Sequence, residues 1–180
     1  INQTLAQVTE TTIKINWSSD SAIDRVWYSI NNGSSWSSAS TVNASSGSYT
    51  ITNLTENTAY KIKTRVRSKA TQLNSDSEAL NINTYNYPHA LSMPSFTIGS
   101  KITLGLYNPL GRSVTVNIMG SDGSQISNDT TTGTSISGYN GSVVVDKFYA
   151  SIPSAKSGTY RVRVTYGNNV ITKTGGTYSI

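Results

Sequence analysis

Lys61, Lys63, Arg65 and Arg67 alternate with Tyr60, Ile62, Thr64 and Val66, so a strand over this stretch lines four cations along one face. Such a row either attracts phosphate- or carboxylate-bearing polymers or is a solvated face that resists aggregation. Trp27 is the second group of chemical interest. Val26, Tyr28 and Ile30 share one face of their strand, and if that face is inward, Trp27 points outward beside Arg25 and Ser29. Trp36 follows across a hairpin, and the two indoles together offer a surface on which sugar rings can stack. The plainer alternative folds Trp36 over the sheet edge and packs Trp27 on a neighbouring strand or domain. Trp27, Trp36, Lys61, Lys63, Arg65 and Arg67 are the candidate ligand surface, which would work by aromatic stacking and cation attraction.

Catalysis requires groups that converge, such as a base beside a nucleophile or two carboxylates across a bond. With one histidine, His89, no cysteine and nine scattered acids, no catalytic residue can be named, and the chain is expected not to be an enzyme. Asp122-Gly123 and Asn128-Asp129 offer oxygen ligands, but no calcium-loop spacing is met, so no metal site is assigned. Glycine-rich phosphate loops need a strand-to-helix context that this sequence lacks, so no cofactor is implied. The net charge of +5 divides as seven cations against six acids in residues 1–85 and seven against three in 86–180. These charges are scattered along strands rather than clustered, which argues against nucleic acid as a partner. No run of about 18 apolar residues and no basic-then-apolar leader occurs, so no membrane partner is expected either.

The elements that position these residues are strands. Thr12 to Ser18 alternates apolar and polar, with Trp17 expected as a buried anchor. Ser18 to Ser21 reads as a polar turn, Thr41 to Gly47 as a loop, and Ser48 to Ile51 as a short strand. Asn32-Gly33 supplies the positive φ angles of a tight hairpin between Trp27 and Trp36. Tyr85 to Pro94, with prolines at 88 and 94, reads as a linker that packs between domains. Beyond it the pattern stays β. Lys101 to Tyr107, Ser113 to Met119, Val143 to Val145, Phe148 to Ile152 and Thr159 to Tyr166 are strands, and the last pairs with Val170 to Thr174 before a bend at Gly175-Gly176. Asn128 to Ser142 is a long exposed stretch with room for one short strand. A length of 180 residues accommodates two sandwiches of about 100 residues or fewer, assigned to 1–85 and 86–180. With no disulfides, packing and strand pairing must supply the stability.

Leu54, five intervening residues and Tyr60 at the head of an alternating strand resemble the tyrosine corner of fibronectin type III domains. Trp17 sits where that family carries its core tryptophan. The resemblance covers Leu5 to Thr84, departs at Glu56 where many members have proline, and includes no Arg-Gly-Asp triplet. Ser29-Ile30-Asn31-Asn32-Gly33-Ser34-Ser35-Trp36 resembles the Asp-box hairpin, Ser-x-Asp-x-Gly-x-Thr-Trp, with Asn31 for Asp and Ser35 for Thr. That hairpin is a structural device of carbohydrate-active proteins, not their catalytic site.

Further phrases, among them Tyr85-Asn86-Tyr87-Pro88, Tyr107-Asn108-Pro109-Leu110-Gly111-Arg112 and Phe148-Tyr149-Ala150-Ser151-Ile152-Pro153, are similar to an immunoglobulin-like β-module that follows a fibronectin type III domain. This tandem resembles minor structural proteins of siphophage tails from Gram-positive hosts. The resemblance implies an all-β chain of two tandem antiparallel β-sandwiches that decorates or extends a phage tail. Its partners would be other virion tail proteins, with host cell-wall polysaccharide as a further ligand and the virion tail as its location. The alternative is a spacer or carbohydrate-binding accessory module of a secreted bacterial surface protein or glycan-active enzyme.

Overall fold

The structure, a computed structural model, describes residues 1–98, 100, 102–120, 123, 125–126, 134–137, 142–145 and 157–179, the segments 134–137 and 142–145 by their backbone. Among these residues every regular element is a strand. The chain divides into two compact units, Ile1–Asn86 and Tyr87–Ile180.

The first unit contains β1 (Asn2–Val8), β2 (Ile13–Ser29), β3 (Ser40–Ile51), β4 (Ala59–Ser68), β5 (Asn74–Asp76) and β6 (Leu80–Asn83). β2 and β3 are long because each serves two layers. The early part of β2, residues 13–18, pairs with β1 on one side and with residues 46–51 of β3 on the other. Past a register shift between Ser18 and Ile23, residues 23–29 pair with the start of β3 and with β4, which in turn carries β5 and β6. The expected turn at 18–21 and loop at 41–47 are therefore both strand. Their Ser, Asp and Asn content marks solvent exposure at the sandwich corner, not a reversal of the chain.

Side chains from both layers fill the core. Ile13, Ile15 and Ile51 meet Ile62, Ile82 and Leu54, and a second cluster joins Trp17, Ile23, Val26 and Val66. Trp17 is the buried anchor expected, at 4% exposure. Its indole lies so close over β3 that a Cβ on Gly47 would stand 2.8 Å from Cζ2. The corner closes as expected too: the Tyr60 hydroxyl accepts the Thr55 backbone N–H at 2.8 Å, and Leu54 is buried. Thr64 is fully buried within the apolar face of β4, where its hydroxyl donates to Gln3 Oε1 and accepts from Tyr49, both at 2.7 Å. Burial pushes the Tyr49 hydroxyl up to about 12.

The second unit contains β7 (His89–Ser92), β8 (Phe96–Thr97), β9 (Ile102–Tyr107), β10 (Ser113–Gly120), β11 (Thr134–Ser137), β12 (Ser142–Val145), β13 (Gly158–Tyr166) and β14 (Asn169–Ser179). One sheet runs β11-β10-β13-β14-β8 and the other β12-β9-β7. Among the described residues every strand pairing of this unit is antiparallel except β14 with β8. Ile102, Leu104 and Leu106 of one sheet and Val114, Val116, Ile118, Tyr160, Val162 and Val164 of the other form a single buried cluster. The alternation of these residues is what a sandwich with one wet face per sheet requires.

Two expectations are corrected here. The segment 85–94 is not all linker: Tyr85 donates to Thr9 within the first unit, and His89–Ser92 pairs with β9. Pro88 and Pro94 flank this short strand rather than interrupting it, so no ladder bond is lost. Gly175-Gly176 does not end a strand. It forms a bulge inside β14, where Gly176 adopts φ +69° and lets the fully buried Tyr160 ring close in. The Phe148–Ile152 strand lies outside the described residues, as does most of the 128–142 stretch around Thr134–Ser137.

Candidate functional site

The candidate residues are positioned by β2, β4 and the hairpin between β2 and β3. In the β2–β4 ladder Arg25 stands opposite Arg67, Trp27 opposite Arg65 and Ser29 opposite Lys63, so these side chains share one face of the sheet. Trp27 and Trp36 are both half-buried.

The hairpin is built by side chains. Asn31 Oδ1 accepts the Ser35 N–H at 2.9 Å and the Ser29 hydroxyl at 2.9 Å, while its Nδ2 donates to Ser35 Oγ at 2.8 Å. Ser29 Oγ in turn accepts the Gly33 N–H at 2.8 Å. Asn32 at φ 61° and Gly33 at φ 87° make the tight turn. The two departures from the Asp-box pattern thus act together. The amide at 31 keeps the acceptor role of an aspartate and adds a donor, which the hydroxyl at 35 receives. The tip is tied to β4, because Asn32 N–H donates to Lys61 O at 2.9 Å.

This anchoring places Trp36 under Arg65, whose guanidinium carbon lies 4.1 Å from the ring centroid. A Cβ on Gly33 would stand 3.4 Å from Trp36 Cζ2 and 3.7 Å from Lys63 Cδ, so indole, turn and lysine stem crowd together. Trp36, Lys63 and Arg65 form one patch, with Trp27 in register beside it. Lys61 sits at the hairpin tip, and Arg67 is directed elsewhere.

The four-cation row is not four free charges. Arg65 makes a bidentate pair with Asp76 of β5, at 2.6 and 2.8 Å, and Arg67 pairs with Asp24 of β2, at 2.9 and 2.7 Å. Asp24 reaches Arg67 from the register shift between Ile23 and Arg25. The hydrogen bonds from Arg67 hold the Asp24 carboxyl below its ordinary 3.8, and those from Arg65 do the same for Asp76, helped by the charge of Lys63. The acids come from strands that only the fold brings near.

A feature not read from the sequence lies on the other side of the hairpin. A cleft of about 290 Å³ opens between it and the end of β3, lined by Tyr28, Ser35, Trp36, Ser37, Thr52 and Asn53 among others. Trp36 is common to the cleft and the cation patch, and Trp27 lines only the latter's sheet face. Among the described residues no group of three His, Cys, Asp or Glu side chains converges as a metal site would require.

The fibronectin type III family model matches residues 2–83. No curated protein sequence matches the chain. Among solved structures, the three N-terminal domains of the Highly Immunogenic Outer Capsid protein of bacteriophage RB49 align over 99% of this chain and 57% of that one, at 10% identity and TM-score 0.52. A chimeric titin Z1Z2 aligns over 98% and 95% at 17% identity and TM-score 0.38, and a chitinase of Bacillus thuringiensis over 96% and 28% at 17% identity and TM-score 0.38. At 10% identity the likeness to the bacteriophage protein is one of fold. With the tyrosine corner, the buried Trp17 and the strand pairing in place, residues 2–83 have the fold of the fibronectin type III family whose model matches them, and the chain as a whole is all-β, two units of fibronectin- and immunoglobulin-like fold in tandem.

Proposed function

We propose that the chain is a non-enzymatic pair of structural modules of a phage tail, which decorates or extends the tail and contributes to adhesion at the host surface. The observation that carries this reading is the tandem itself. Two sandwiches in succession share their fold over 99% of the chain with domains of a bacteriophage outer capsid protein. The sequence phrases at the start and within the second unit resemble siphophage tail proteins in the same order. Adhesion is supported by the Trp36, Lys63 and Arg65 patch, which combines the aromatic and cationic contacts that wall polymers offer a partner for.

Immunogold electron microscopy of parent virions with antibody raised against the 180-residue chain tests the assignment. Label on the tail is the expected result, and particles without label overturn it. A catalytic domain in the same open reading frame, in place of neighbouring tape-measure and tail genes, assigns the chain instead as an accessory module of a secreted enzyme or adhesin.

A further inference from the structure

We infer that the cleft between the β2–β3 hairpin and the end of β3 binds a neutral sugar residue of a glycan, with Trp36 and Asn53 as its principal contacts. This inference rests on the adhesion reading above but names a different surface and ligand chemistry from the cation row. Its volume of about 290 Å³ matches the lower end of small-ligand pockets, about 300 Å³. None of its lining residues carries a carboxylate, an ammonium or a guanidinium group. An ionic ligand would find no countercharge there.

What the lining does offer is rings and neutral hydrogen-bonding groups. Tyr28 and Trp36 supply aromatic surface, against which the C–H face of a pyranose packs. Arg65 already covers one face of the indole at 4.1 Å, so a sugar takes the other face or the rim that borders the cleft. Thr52 and Asn53 are exposed, and Asn53 presents a side-chain amide with two donors and an acceptor, the complement of adjacent sugar hydroxyls. Asn53 is held at φ 59°, next to the buried Ile51 and Leu54, so its position is fixed by the corner rather than by a floppy loop. Ser35 and Ser37 are likewise pinned by the hairpin bonds. The site is rigid on both walls, which lowers the ordering entropy that weakens carbohydrate binding.

The cation row is a poorer site for the same ligand. Arg65 and Arg67 have their forks occupied by Asp76 and Asp24, and a neutral sugar gains nothing from displacing a carboxylate.

Titration of the full chain with neutral hexasaccharides of glucose and of N-acetylglucosamine, and separately with poly(glycerol phosphate), followed by ¹H–¹⁵N NMR, tests the inference. Shifts are expected with a neutral sugar at the Trp36 indole N–H and the backbone amides of Ser35, Ser37, Thr52 and Asn53. The double variant Thr52→Ala/Asn53→Gly removes the polar contacts while glycine keeps the left-handed backbone, and should weaken that binding about tenfold with the rest of the spectrum unmoved. No shift at the cleft with either sugar overturns the inference. So do shifts confined to Lys61 and Lys63 with the anionic polymer, and so does undiminished binding by the double variant. Unlabelled virions together with a sugar-shifted cleft would refute the tail assignment and leave the cleft standing.

Discussion

Trp17→Ala, alone and combined with Gly47→Ala, measures how the first sandwich is held together. A tryptophan buried to 4% exposure removes about 200 Å² from water, worth about 5 kcal/mol at about 25 cal/mol per Å². An extended-chain reference overstates that burial and alanine keeps part of it, so the expected loss is about 3–5 kcal/mol. Gly47→Ala acts on the same contact from the opposite side. Its new Cβ would lie 2.8 Å from Trp17 Cζ2, against β3 backbone that cannot retreat, for an overpacking penalty of about 1–3 kcal/mol. In the Trp17→Ala background that clash is gone, and alanine should stabilise the strand over glycine by about 0.5–1 kcal/mol. The sign of the Gly47 effect therefore reverses between backgrounds. All three tryptophans lie within residues 1–86, so urea titration followed by emission from Trp27 and Trp36 reports the first unit in every variant. An equal Gly47→Ala effect in both backgrounds, or a Trp17→Ala loss under about 1 kcal/mol, would refute the packing argument.

Tyr60→Phe deletes the corner bond to the Thr55 N–H and should destabilise the first unit by about 1 kcal/mol, readable in the same titration. Gly176→Ala places a Cβ 2.5 Å from Tyr160 Cε1 and 2.6 Å from the Met93 carbonyl oxygen at a left-handed φ; the second unit should lose about 3 kcal/mol or more, seen as loss of its dispersed methyl signals on heating. Acid should weaken the first unit through Asp24 and Asp76. Their folded values lie below the unfolded ones, so their contribution is complete above the ordinary carboxylate range and disappears as pH falls through the lower folded values. Midpoints measured downward from pH about 5 should fall less steeply in Asp24→Asn/Asp76→Asn, and an unchanged acid limb would remove these pairs from the account.

Much of the fold was legible because it rests on local patterns. Leu54 and Tyr60, the alternation of β4 and the Asn32-Gly33 turn each declare themselves within a few residues. The long strands were not legible, since β2 bends between layers at Ser18–Ile23 and Gly47 pairs opposite Trp17, features set by the second layer. Buried Thr64 was hidden by its polarity, and its partners Gln3 and Tyr49 arrive from two other strands. The candidate surface suffered most from this blindness. Asp24 lies 43 residues from Arg67, so a row of cations in sequence became two ion pairs and two lysines in space. The cleft could not be read at all, because its walls are a hairpin and a strand end joined only by the fold.

The parallel pairing of β8 with β14 gives the second unit a mechanical character. Force entering the chain ahead of Phe96 and leaving beyond Ser179 pulls these two strands past each other along their length. The Ile98 N–H to Ser179 carbonyl bond, the Thr97–Ser179 hydroxyl contact and the Ser95–Thr177 bonds are then strained together rather than in turn. A hairpin such as β13–β14 pulled at its open end would instead lose its bonds singly, each in its turn. Tension applied between Ser95 and Ser179 is thus met in shear by a short clasp of hydroxyl and backbone bonds at the sheet's edge.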